Sequence, residues 1–161
     1  ELLGAAGRLA TWPLPEGGGF ALLAPGWERV YRQGRQRLEQ AYRQASDEAF
    51  HEWRKRIKDH WYHTKLLQPV WVDEMQVRRS ALKALSDRVG DDHDLAVLRA
   101  ALAAEPELFG AAATRRSIDA MATERQQALR GQARGLGLCL YAERPAPHVK
   151  RLQAYWKAWR G

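Results

Sequence analysis

His51-Glu-Trp-Arg54-Lys55-Arg-Ile-Lys58-Asp-His-Trp-Tyr62-His-Thr-Lys65 decides how this chain folds, because two helical periodicities run through it at once. Phe50, Trp53, Ile57 and Trp61 recur at spacings of three and four and form one apolar stripe, the pattern of a helix packed on a core. His51, Arg54, Lys55, Lys58, Tyr62 and Lys65 recur in the same way on another face. At about 100° per residue they lie within about 60° of His51 on a helical wheel. Like charges at helical neighbour spacing repel by a few tenths of a kcal/mol per pair, so stacking them on one stripe calls for a compensating anion. A polyanion is the natural candidate.

Outward from this segment the helical pattern continues. Ser46 or Asp47 is positioned to cap the His51 helix, and Pro69 should end it just after Leu67. Upstream, apolar positions 27, 30, 31, 34, 38, 41, 42 and 45 predict a helix from Trp27, with Arg32, Arg35 and Arg43 along one flank. Residues 1–11 read as the end of a helix, broken by Trp12-Pro-Leu-Pro-Glu-Gly-Gly-Gly. Downstream, a third long helix is expected from near Asp73, interrupted or kinked at Gly90-Asp91-Asp92-His93-Asp94 before Leu95 resumes it. Further helices are expected at about 105–109, 111–134 and 147–160. The last has Val149, Leu152, Trp156 and Trp159 on a docking stripe. Strand alternation is nearly absent, so the fold class is all-α, an antiparallel helical bundle of about four long helices plus short ones.

Bulk composition agrees with an anionic partner. Twenty-six Lys and Arg against nineteen Asp and Glu give a formal charge of +7. Between Trp27 and Lys65, ten basic residues face six acidic ones. The chain of 161 residues is long enough for one core and reads as a single domain or a portion of one. Cys139 is the only cysteine, which excludes an internal disulfide framework and fits a reducing compartment. No apolar run approaches the ~18 residues needed to span a bilayer, and no basic stretch leads into an apolar core at the amino terminus. A soluble, cytoplasmic protein is the expectation.

The motif His51-x-x-Arg54-Lys55-x-x-Lys58-x-x-x-Tyr62 resembles the second half-repeat of the CHAD (conserved histidine α-helical domain) family. Two flanking segments carry the resemblance further, in the family's order and spacing: Tyr31-Arg32-Gln-Gly34-Arg35, and Gly90-Asp-Asp-His-Asp94-Leu-Ala-Val-Leu98. The resemblance covers about residues 1–140, leaving a docking helix at about 147–160. It implies a helical bundle with a basic channel that binds inorganic polyphosphate without catalysis and without a cofactor. It also implies a bacterial origin, association with polyphosphate granules, and in many relatives an amino-terminal triphosphate-tunnel-type domain. Two departures stand out. The family has two such repeats arranged as pseudo-twofold halves, and only the later one is visible, so the chain reads as one carboxy-terminal half. A half-bundle would leave an apolar face that a homodimer could cover. The second departure is Trp61, where the family often has arginine.

The expected polyphosphate site is Arg32, Arg35, His51, Arg54, Lys55, Lys58, Tyr62 and Lys65. Arg54 would be the bidentate ligand, with Lys55, Lys58 and Lys65 as mobile point charges. Arg32 and Arg35 would close the opposite wall from the preceding helix. His51, near the positive end of its helix, would donate a hydrogen bond to a phosphate oxygen. Tyr62 would either donate its hydroxyl or cover lysine stems. His60, His63 and Arg56 fall off the stripe and read as surface residues, whereas tryptophans 53, 61, 71, 156 and 159 read as core anchors. Two alternatives compete. Asp91, His93 and Asp94, with His51 and Asp119, could compose the metal site of an HD-type phosphohydrolase. Against that, short acidic clusters after glycine usually cap helices, and Asp91, Asp92 or Asp94 could cap the segment from Leu95. A nucleic-acid-binding helical module shares the charge argument but lacks a recognisable DNA- or RNA-reading motif.

Overall fold

The computed structural model describes residues 19–161, and the helix and break read at residues 1–18 lie outside the described residues. Five α-helices make up most of this region: α1 (Phe20–Gln44), α2 (Asp47–Leu66), α3 (Val72–Ala104), α4 (Ala112–Leu140) and α5 (Pro145–Arg160). Short 3₁₀ turns at Gln68–Val70 and Pro106–Phe109 link α2 to α3 and α3 to α4. Helices α1 to α4 form an antiparallel bundle in which α2 packs between α1 and α3, and α4 packs on α3. Helix α5 docks across α1 and the turn before α3. The all-α bundle is as expected.

Helix boundaries follow local chemistry. The Ser46 hydroxyl accepts a hydrogen bond from the Ala49 N–H at 3.2 Å, and Ala45 reverses the chain just before it at a φ of 51°. Replacing Ser46 with alanine should lower stability by about 1 kcal/mol in urea denaturation, the usual cost of losing a cap. Helix α1 begins at Phe20 rather than Trp27. Pro25 is tolerated near the helix start, where its missing N–H forfeits one bond to the carbonyl of Ala21, and both residues are exposed.

Helix α3 differs more sharply from expectation. It runs unbroken through Gly90-Asp91-Asp92-His93-Asp94, so none of these aspartates caps a new helix. Asp92 is instead buried, and its carboxylate accepts two bonds from Arg130 of α4, from Nε at 2.6 Å and Nη2 at 3.2 Å. Arg130 also pairs with Asp47 and lies over the Phe50 ring at 4.3 Å. Gln126 donates to the Asp92 carbonyl at 3.0 Å. The cluster thus ties α2, α3 and α4 together at one end of the bundle. Burial pushes the Asp92 carboxyl up, against the opposing pull of Arg130.

The core is in two parts. Tyr31, Leu38, Phe50, Trp53, Ile57, Leu82, Leu85, Ala133 and their neighbours fill the bundle. Phe20, Trp27, Leu67, Met75 and Leu152 form a second cluster under α5. Helix α4 extends past 134 because Gly137 permits close packing: a Cβ there would come within 2.9 Å of the Trp53 ring. Gly34 plays the same part for Tyr141, whose ring would lie 2.5 Å from an added Cβ. The Tyr31 hydroxyl reaches the carbonyls of Leu140 (3.3 Å) and Glu143 (3.2 Å), locking α1 to the α4–α5 junction.

Several single-residue expectations change. His60 is 1% exposed, not on the surface, because Trp27 and Tyr31 of α1, Tyr141 and His148 enclose its ring. Trp53 is a buried anchor and Trp61 and Trp156 are half-buried, whereas Trp71 and Trp159 are exposed and anchor nothing in the core. Leu152 is buried and Val149 packs beside it, so α5 docks through the first part of its stripe.

Candidate functional site: the groove between α2 and α3

Antiparallel packing of α2 on α3 sets the residues of the basic stripe against a matching row. The His51 ring lies 4.4 Å from the His93 ring. One turn on, the Arg54 guanidinium rests against Gly90, where an added Cβ would meet Nε at 3.3 Å. Lys58, Trp61 and Tyr62 share a shallow groove with Lys83, Ser86 and Asp87. Farther along, Arg79 of α3 and Lys65 of α2 both lie over the Trp61 ring, at 5.7 and 5.9 Å. At about 1.5 Å per residue the line from His51 to Lys65 is roughly 20 Å long.

Three polar atoms along this row are buried and have no hydrogen-bond partner among the described residues: His51 Nδ1, Arg54 Nε and Arg79 Nε. Buried polar groups are ordinarily satisfied, so a run of unpartnered atoms between α2 and α3 points to a ligand or solvent that supplies acceptors. Lys58 makes no ion pair among the described residues, and neither does Lys65. Lys83 is held by Asp87 at 2.9 Å, an exposed pair of little energetic weight that a stronger anion can displace. Arg79 bonds to Gln68.

The other expected residues sit elsewhere. Lys55 is exposed and pairs with Glu52 on the outer surface. Arg56 pairs with Asp59 at 3.0 Å and bonds to Gln33 of α1, away from the groove as expected. Arg32 and Arg35 do not close the opposite wall. Arg32 pairs with Glu28 at 3.0 Å on its own helix, and Arg35 donates to the Glu143 carbonyl at 2.8 Å. Arg35 lines a different groove, between α1 and α4, with Tyr42, Arg43 and Arg134. Because α2 meets α1 with one side and α3 with another, the α1 arginines face away from the His51 stripe. The second wall is built by α3 instead.

Arg79, Lys83, Gly90 and His93 were therefore missed, although their signal was present. With Ser86 they recur at spacings of four, three, four and three along α3, the same one-face pattern that marks α2. Gly90 has a definable part. Alanine there should gain up to about 1 kcal/mol of helix stability, because glycine is a poor helix former. The same change should displace Arg54 by a few tenths of an ångström and weaken anion binding. Melting temperature and affinity measured on Gly90→Ala should move in opposite directions.

The HD-type arrangement does not assemble. Among the described residues no three His, Cys, Asp or Glu side chains come together in a geometry able to hold a metal ion. Asp92 is committed to Arg130, Asp119 pairs with Arg99 at 2.7 Å, and the His93 ring lies against His51.

Comparison with known families agrees with the stripe and the bundle. The CHAD domain family matches residues 2–103, and this chain belongs to that family. The match spans the described part of α1 together with α2 and nearly all of α3, so both walls of the groove fall inside it. Neither a curated protein nor a solved structure matches the chain. No helix among the described residues is long and apolar enough to cross a membrane.

Proposed function

We propose that this chain binds inorganic polyphosphate along the α2/α3 groove and does not turn it over. The supporting observation is the alignment of His51 Nδ1 and Arg54 Nε, buried and unpartnered, with Lys58 and Lys65 on the same face. A linear phosphate chain carries about one charge per internal unit, resembling a nucleic-acid backbone stripped of its bases. A row of cations on a helix face matches that repeat and can release its counterions. Arg54 supplies the planar fork suited to two phosphate oxygens, and Lys58, Lys65, Arg79 and Lys83 supply point charge and a less rigid contact. Tyr62, exposed at the groove edge, offers a hydroxyl. The revised ligand set is His51, Arg54, Lys58, Tyr62, Lys65, Arg79 and Lys83. Lys55 contributes field at the rim, and Arg32 and Arg35 contribute only to net charge. Membership in the CHAD family supports the same reading through the resemblance of its basic helical motif. A cytoplasmic place beside polyphosphate granules, a homodimer and an attached triphosphate-tunnel-type domain accompany the proposal as expectations from that resemblance.

Calorimetric titration of long-chain polyphosphate across a salt series tests it. Treating the five cations as contacts gives a slope of roughly −3 in log K against log salt, or about a hundredfold loss between 50 and 200 mM. Binding that ignores salt, or no binding at low salt, would overturn the proposal.

A further inference from the structure

The His51–His93 ring pair is the feature of this groove that polyphosphate binding as such does not use. The two rings come from different helices, lie 4.4 Å apart and are tilted by 33°, and His51 Nδ1 is buried without a partner. Imidazole is the side chain whose charge answers most readily to an adjacent anion. An anion laid against the pair offsets the repulsion between two imidazolium rings and so favours proton uptake there.

The surroundings reinforce that condition. Along α2, the residues one turn from His51 are Asp47 and Glu48 on one side and Arg54 and Lys55 on the other. Along α3, His93 stands between Asp92 and Asp94, with Gly90 and Ala96 one turn away. From α4, Arg130 takes up both Asp47 and Asp92, and Lys55 takes up Glu52. Glu48, Asp91 and Asp94 are exposed and make no ion pair among the described residues. Asp47 and Asp92 are thus held by Arg130, the unpaired Glu48, Asp91 and Asp94 lie toward solvent, and Arg54 adds positive charge on the groove side. A phosphate chain entering the groove would set negative charge directly against the pair.

We infer that His93 is a further polyphosphate-binding residue, and that the His51–His93 pair couples phosphate capture to proton uptake. The inference rests on the polyphosphate reading of the groove. It makes the groove a binder that tightens as pH falls from 8 to 6 and lets go as pH rises. With one linked proton, affinity changes by up to about tenfold per pH unit across the histidine range.

The test is titration of long-chain polyphosphate into the full chain at pH 6.5, in two buffers of different ionisation enthalpy, together with affinities at pH 6 and 8. The parent should take up close to one proton per bound segment and bind at least tenfold tighter at pH 6 than at pH 8. His93→Gln keeps a polar side chain of similar reach without a titrating ring. It should bind more weakly than the parent, with the larger loss at pH 6, and lose both the proton uptake and most of the pH dependence. His51→Gln should lose the uptake as well. Tight parental binding without proton uptake, or uptake retained in His93→Gln, overturns the inference and leaves the groove reading standing. Absence of parental binding at both pH values overturns the groove reading and the inference together. A circular dichroism spectrum matching the parent establishes that each variant is folded.

Discussion

Arg54→Ala combined with Lys58→Ala is expected to weaken polyphosphate binding by about two to four orders of magnitude at low salt while leaving the helical spectrum unchanged. Each residue loses a charge-assisted contact worth roughly 1.5–3 kcal/mol, and each 1.4 kcal/mol is tenfold in affinity. Neither removal orphans a protein acceptor: Arg54 Nε has no partner, and Lys58 makes no ion pair among the described residues. The matched control is Arg35→Ala with Arg43→Ala, which removes the same net charge from the groove between α1 and α4. That control should weaken binding less than about threefold, as expected for distant charge screened by salt. Equal losses in the two double variants would mean that affinity follows bulk charge and not the α2/α3 groove.

A second large effect is expected in stability against pH, and it comes from the buried ring cluster beneath α5. His148 of α5 is fully buried and stacks on Tyr31 at 3.9 Å, with His60 and Trp27 against the same cluster. His148 Nδ1 lies 3.1 Å from the Glu143 carboxylate, whereas the Nε2 atoms of both His148 and His60 are buried without partners. Burial, aided by Arg78 and only partly opposed by Glu143, pulls His148 down to about 4. Burial likewise holds His60 well below its ordinary value, and the nearby His148 acts in the same direction. Both groups are thus neutral in the fold and gain protons more readily when exposed. Their contribution to stability is complete above about pH 6.5 and falls as pH drops below that value, and that of His148 has been lost once pH passes its folded value of about 4. For His148 alone the difference amounts to roughly 3 kcal/mol over that window. Thermal melts from pH 7.5 to pH 4.5 should show a steep fall beginning near 6.5. His148→Gln should start from a lower melting temperature and show a shallower slope between pH 6.5 and 5. A parental melting temperature that stays flat over that interval would contradict this account of α5 docking.

The sequence made the class of fold and one wall of the site legible because both depend on periodicity within a single helix. Phe50, Trp53 and Ile57 mark the buried face of α2 and are buried, and Ser46 caps it as its type and position indicate. The second wall depends on register between helices. That His51 meets His93 and Arg54 meets Gly90 follows from the length and packing of the turn between α2 and α3, which no pattern within α2 records. Reading Gly90 to Asp94 as a break concealed the line of Arg79, Lys83, Gly90 and His93, which becomes a single face only when α3 is continuous. Arg35 was misplaced for a related reason. Its helix has two polar flanks, and which one meets α2 is decided by Tyr31 and Gly34 packing on Tyr141 from a distant part of the chain. His60 lies off the basic stripe as periodicity says, but its burial comes from Trp27 and Tyr31 of α1 and from the distant Tyr141 and His148.

The α2/α3 groove as the seat of polyphosphate binding is tested most directly by an amide-resolved NMR titration with a short polyphosphate at low salt. The expected result is a saturable set of shift changes along residues 51–65 and 79–93, with the α1/α4 groove around Arg35, Arg43 and Arg134 unmoved. Saturable changes centred on the α1/α4 groove, with residues 51–65 unmoved, would contradict it.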